Sequence, residues 1–160
     1  MRKLRRMGLV LLVALAGASL FPSVGEAVMV TLSLEQLARG VNTIVLGTVT
    51  HQVSAWNAQH TAIYTDVTVA IEEVIKGLLG VEVTFRVAGG IVGEIGMRTS
   101  NDPVFQDGER VIVFLNTDSA PARVGGLHQG KYTVRDGMVK KDGQRIAVAD
   151  FINAVRAASR

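Results

Sequence analysis

Ile63-Tyr64-Thr65-Asp66-Val67-Thr68-Val69-Ala70-Ile71-Glu72-Glu73-Val74 is the stretch that decides the fold. From Ile63 to Ile71 the residues alternate with period two, which puts Ile63, Val67, Val69 and Ile71 on the inward face of a strand. After Glu72-Glu73 the next apolar residue is Val74, one position out of phase. One extra residue in the strand produces such a slip, so a β-bulge is expected at Glu72–Glu73.

Upstream, Ser33-Leu34-Glu35-Gln36 has the form of a capping box, in which the Ser33 hydroxyl accepts from the Gln36 amide and Gln36 reaches back. Leu34, Leu37 and Ala38 supply an apolar face, and Gly40 is expected as a left-handed stop to a two-turn helix. From Thr43 the period becomes two, with Val45, Val49 and Val53 on one face. Gly47 marks a bend or a close backbone approach.

Downstream, Val81, Val83, Phe85 and Val87 face one way, and Gly93, Ile95 and Met97 alternate with Glu94, Gly96 and Arg98. Val111-Ile112-Val113-Phe114-Leu115 is apolar on both faces, the pattern of a strand covered on both sides. Residues 131–135 and 138–141 form a hairpin across Asp136-Gly137, and Asp142-Gly143 turns the chain again. Asp150 is placed to cap a final helix with Phe151, Ile152 and Val155 on its apolar face.

Five or six strands, a bulged second strand and glycines at bends predict a mainly β protein. Its architecture is a small closed OB-like β-barrel with a short N-terminal helix and a C-terminal helix. A barrel also leaves no exposed sheet edge. A two-sheet sandwich is compatible with the same spacing.

The N-terminus sets the compartment. Arg2, Lys3, Arg5 and Arg6 precede an apolar run from Met7 to Phe21, then Pro22 and the small residues Gly25 and Ala27. This is the form of a cleavable secretory signal, with an N-terminal membrane anchor as the alternative. The expected organisation is therefore a signal peptide at 1–27 and a single β-barrel domain at 28–160, periplasmic or secreted, with no membrane association after cleavage. Four of the 17 basic residues and one of the 14 acidic residues lie in the first 27, leaving 13 of each. The mature chain is near neutral, which argues against a nucleic-acid partner. The chain has no cysteine, so disulfides, thiolate metal sites, a cysteine nucleophile and lipid attachment at the cleavage site are all excluded.

Val45-x-Gly47-x-Val49, the strand end Val69-x-Ile71-Glu72-Glu73-Val74-Ile75-Lys76-Gly77, and Phe105-x-x-Gly108-Glu109-Arg110 running on to Leu115 form a pattern. It resembles one seen in many uncharacterised exported bacterial β-barrel proteins. It is also similar to the OB-type N-terminal domain of tissue inhibitors of metalloproteinases and the netrin-like modules. The resemblance spans about Val45 to Leu115, and its motifs form the fold without supplying chemistry. Those inhibitors chelate the protease zinc through an N-terminal cysteine. This chain has none, so no inhibitory residue carries over and any protease inhibition would be of a non-chelating type.

Motifs for catalysis are sparse. His51, His60 and His128 lie far apart without metal-ligand spacing and read as surface residues. Gly89-Gly90-Ile91-Val92-Gly93-Glu94-Ile95-Gly96 follows a strand but opens no helix and lacks a Gly-Lys-Ser/Thr ending, so it reads as a turn and a bent strand. Glu72 and Glu73 read as solvated charge at the bulge. Two residues stand out as candidate binding positions. Trp56, the single tryptophan, sits at the end of the first strand in a hairpin loop, as a contact anchor or a lid on the barrel. Arg98 follows an apolar strand face, as a solvated surface residue or an anion contact. No cofactor is indicated. The reading is an exported non-catalytic module that binds a protein, peptide or glycan, with an enzyme lacking a recognisable motif as the alternative.

Overall fold

The computed structural model describes residues 30–77 and 80–160, and Thr31–Arg160 form one compact unit. The expected signal peptide and the new N-terminus at Val28 lie outside the described residues. The described residues form ten strands in order: β1 (Thr43–Trp56), β2 (Ile63–Lys76), β3 (Glu82–Ala88), β4 (Gly90–Val92), β5 (Ile95–Met97), β6 (Arg110–Asn116), β7 (Ala122–Val124), β8 (Lys131–Arg135), β9 (Met138–Lys141) and β10 (Gln144–Ala147). Helix α1 (Leu34–Arg39) precedes β1 and helix α2 (Val148–Ala158) closes the chain. Among the described residues no helix is long and apolar enough to cross a membrane.

Five strands close a barrel. β1 pairs antiparallel with β2, β2 with β3, β6 with β7 and β6 back with β1, while β3 and β7 run parallel. Closure of β1 on β6 decides for the barrel over the sandwich, in the OB-like arrangement expected. The start of β6 also pairs with β8, from which β9 and β10 continue as a meander. Its turns sit at Asp136-Gly137 and Asp142-Gly143, all four residues at positive φ, as two-residue hairpins require.

β6 explains why its sequence is apolar throughout. Val111, Val113 and Leu115 enter the barrel interior with Val45, Val67, Val69 and Phe85. Ile112 and Phe114 point outward into a second core shared with α1, α2 and the meander, including Leu37, Val139, Phe151 and Val155. Val111 through Leu115 are all fully buried. One strand thus divides two hydrophobic layers, each stabilised by burial on its own side.

The bulge occurs at Glu72: Leu46 pairs with Glu73 and Gly47 with Ile71, leaving Glu72 as the extra residue. Gly47 lies opposite it, and a Cβ there would stand 2.6 Å from Val69 Cγ1 and closer still to the Ala70 carbonyl oxygen. Only glycine permits that approach. The Lys76-Gly77 end of β2 is also structural. Lys76 Nζ donates to the carbonyls of Ala38 (2.7 Å) and Val41 (2.6 Å) at the end of α1.

Four local expectations are corrected. Gly40 follows α1 with φ −75°, in the right-handed region, so it is no left-handed stop. The capping box at Ser33 and Gln36 does form. Helix α2 begins at Val148 after Ala147, so Asp150 lies inside the first turn, where its charge favours the helix dipole, and does not cap it. Val81 precedes β3 and is 84% exposed, apart from the buried Val83, Phe85 and Val87. Gly93, with φ +60°, occupies the turn of a β4–β5 hairpin, not a strand shared with Ile95 and Met97.

Candidate functional site

A further register shift in the β1–β2 ladder, this one with its extra residue on β1, builds the site. Val49 pairs with Val69 and His51 with Thr68, which leaves Thr50 as an extra residue on β1. Its hydroxyl donates to the Thr68 carbonyl at 3.3 Å. Since side chains alternate with period two, the extra residue exchanges the faces of everything beyond it. Val45 and Val49 are buried, but Val53 is 51% exposed, so the expected Val45/Val49/Val53 face is broken after Val49. Gln52, Ser54 and Trp56 take the partly buried side in its place.

At that end of the barrel lies a cleft of about 570 Å³. Val87 and Phe105 belong to its apolar lining, with Gln52, Ser54 and Thr65 from β1 and β2 beside them. The β4–β5 hairpin contributes Ile91, Gly96 and Met97, and the following loop contributes Arg98, Thr99, Asp102 and Pro103. The hairpin is seated by Gly89 N–H, which donates to the Ile63 carbonyl at 2.8 Å, and by Ile63 N–H, which donates to Met97 Sδ at 3.4 Å. The loop is held as firmly. Pro103 and Phe105 are buried, Phe105 meets Phe85 edge-on at 5.1 Å between ring centroids, and Lys131 Nζ donates to the Val104 carbonyl at 2.5 Å. The walls are therefore built before any ligand arrives.

The polar groups have defined roles. Thr65 Oγ1 donates its one proton to the Gly89 carbonyl at 2.7 Å. The Ser54 hydroxyl, 2.8 Å from Thr65 Oγ1, must then be the donor of that second bond. Gln52 Nε2 donates to Asp107 at 2.9 Å, and Thr99 Oγ1 donates to Asp102 at 2.8 Å. Arg98 is exposed, and no hydrogen bond or ion pair engages it among the described residues.

The two candidate residues separate here. Arg98 lines the cleft; Trp56 does not. Trp56 is half-buried at the last position of β1, paired in register with Ile63 and stacked on His60 at 5.9 Å. Sequence reasoning missed Gln52, Ser54, Thr99 and Asp102, whose polar side chains show no period and acquire a site only through the Thr50 bulge and the loop.

The remaining charged residues face elsewhere. Glu72 accepts from Arg110 Nη2 at 2.6 Å and Thr48 Oγ1 at 2.9 Å, while Glu73 accepts from Arg156 at 2.5 Å. The two adjacent carboxylates diverge to separate partners and do not act as a pair. The Arg110 hydrogen bonds, with that of Thr48, hold the Glu72 carboxyl below its ordinary pKa against a partial desolvation. Arg86 does the same for Asp66 on the outer face of β2 and β3. His51, His60 and His128 are all exposed, on three separate segments, as their spacing suggested. Comparison with protein-family models, curated proteins and solved structures finds no match for the chain.

Proposed function

We propose that this protein is an exported, non-catalytic binding module that takes its ligand in the cleft at the barrel end. The observation behind this reading is a prebuilt cavity of about 570 Å³, apolar at its base with an unengaged arginine, Arg98, among its walls. That volume suits a small molecule or a few residues of a chain, and is too small for a globular surface. Among the described residues Asp102 is the one carboxylate lining the cleft, and it is engaged by Thr99, which gives acid–base chemistry no second partner there. Export is supported by the basic and apolar N-terminal residues and the small pair Gly25 and Ala27. The resemblance to exported barrel proteins and to the inhibitor and netrin-like modules agrees with a binding role. Trp56, stacked on His60, is a second contact outside the cleft.

Amide-resolved NMR titration with pooled short peptides and with pooled oligosaccharides tests this reading. Shifts should concentrate at Gln52, Ser54, Gly96 and Arg98, and Gly96→Leu should abolish them without lowering the melting temperature. A Cβ at Gly96 meets only Ile91 Cγ1, at 3.8 Å, so the added side chain extends beside Ile91, itself a lining residue, and not into the core. Shifts that avoid the cleft, or that survive Gly96→Leu unchanged, would overturn the proposal.

A further inference from the structure

We infer that the ligand of the cleft is a short apolar peptide with both ends free, its carboxylate toward Arg98 and its ammonium toward Asp102. This rests on the cleft being the binding site. Arg98 and Asp102 are the two charged side chains that line it, one of each sign, and they form no ion pair with each other or with any described residue. Six ion pairs among the described residues show that charges of this domain do pair where geometry allows. A cation and an anion that line one cleft without pairing are complementary to a ligand that carries both charges at separate ends.

The backbone adds a second observation. In the β4–β5 hairpin, Val92 pairs with Ile95 across the two-residue turn, Ile91 with Gly96, and Gly90 with Met97. The pair beside such a turn exchanges hydrogen bonds and the next does not, so Gly96 turns its N–H and C=O to the outer edge of β5. That edge has no strand partner among the described residues, and Gly96 lines the cleft. A main-chain donor and acceptor at one residue match the amide of a peptide.

The lining decides against a sugar. Its one aromatic ring is Phe105, only 5% exposed and turned edge-on to Phe85, so no ring face is offered for a sugar to stack on. Met97, Val87 and Pro103 suit an aliphatic side chain instead.

The test compares Leu-Leu, its C-terminal amide, its N-acetyl derivative and chitotetraose in NMR titrations of the whole protein. Leu-Leu should shift the Gly96, Arg98 and Thr99 amides and bind about tenfold tighter than either capped form, the scale of a hydrogen bond to a charged group. Arg98→Ala should weaken Leu-Leu to the level of the amide and leave the amide unaffected. Asp102→Asn, which keeps an acceptor for Thr99, should do the same relative to the N-acetyl form. Equal affinity of capped and free peptides would overturn the inference while leaving the cleft as the site. So would cleft shifts with chitotetraose and none with Leu-Leu. Absence of cleft shifts with every probe would overturn both this inference and the binding reading.

Discussion

Replacing Gly47 with alanine adds one methyl group at a crowded point of the barrel. Gly47 pairs with Ile71 of β2 on one side and with Val111 of β6 on the other, so it stands at the seam that closes the sheet. The new Cβ would lie 2.6 Å from Val69 Cγ1, where carbon atoms normally approach to about 3.5–4.0 Å. Val69 is fully buried, and the other obstacle is the Ala70 carbonyl, which belongs to the backbone and cannot rotate away. Overpacking of this kind costs about 1–3 kcal/mol, and a rigid neighbour puts Gly47 at the upper end. The smaller entropy of an unfolded chain with alanine offsets about 0.5–1 kcal/mol. The net loss should be about 2 kcal/mol. Urea denaturation followed by circular dichroism measures it: with a slope in the range of about 1–3 kcal/mol/M, the midpoint should fall by about 1 M at unchanged slope. Gly96→Ala is the control, since its Cβ makes only an ordinary contact with Ile91 Cγ1 at 3.8 Å and should hold the midpoint or raise it slightly. A Gly47→Ala midpoint as high as that of Gly96→Ala would refute the steric reasoning.

Phe114→Ala should destabilise by about 3–5 kcal/mol, because Phe114 is wholly buried in the outer core and packs against Tyr132 at 5.8 Å between ring centroids. A loss under about 1 kcal/mol in the same melts would show that the outer layer adapts around the cavity. Glu72 gains stability from its depressed pKa, a contribution complete above the ordinary value of 4.5 and lost as pH falls through the lower folded value. Because both partners are more than a third exposed, Glu72→Gln should cost under about 1 kcal/mol at pH 7 and flatten the acid limb of the stability profile; an acid limb identical to that of the native chain would count against the pairing. Intact-mass analysis of protein recovered after export should give a chain beginning at Val28, and a mass retaining residues 1–27 would contradict signal cleavage.

The fold was legible where local physics acts alone. The alternation of Ile63–Ile71 and its slip at Glu72 were readable because an extra residue in an apolar pattern leaves a visible phase error. The same holds for the Asp-Gly hairpins and for β6, where five apolar residues in a row admit no solvent face. The bulge at Thr50 left no such trace. Thr50-His51-Gln52 is polar on every face, so a slip there displaces no apolar residue except Val53. Strict period two puts that single residue on the buried side, where the structure exposes it, and hides the inward turn of Gln52, Ser54 and Trp56.

Composition and period, by themselves, determined that this chain is mainly β with a helix before and a helix after the strands, because burial of alternating apolar faces is a local requirement; closure of β1 on β6, which makes the sheet a barrel, is a tertiary fact. They also singled out Arg98 by its place after an apolar strand. Tertiary structure alone decided what surrounds that arginine. The cleft joins β1 and β2 to a loop more than thirty residues downstream, and the divergence of Glu72 and Glu73 depends on Arg110 and Arg156, which reach them from β6 and from α2. Polar side chains have no period to announce their neighbours. Their partners are set by chain topology, through contacts between distant residues that hydrophobic patterning does not encode.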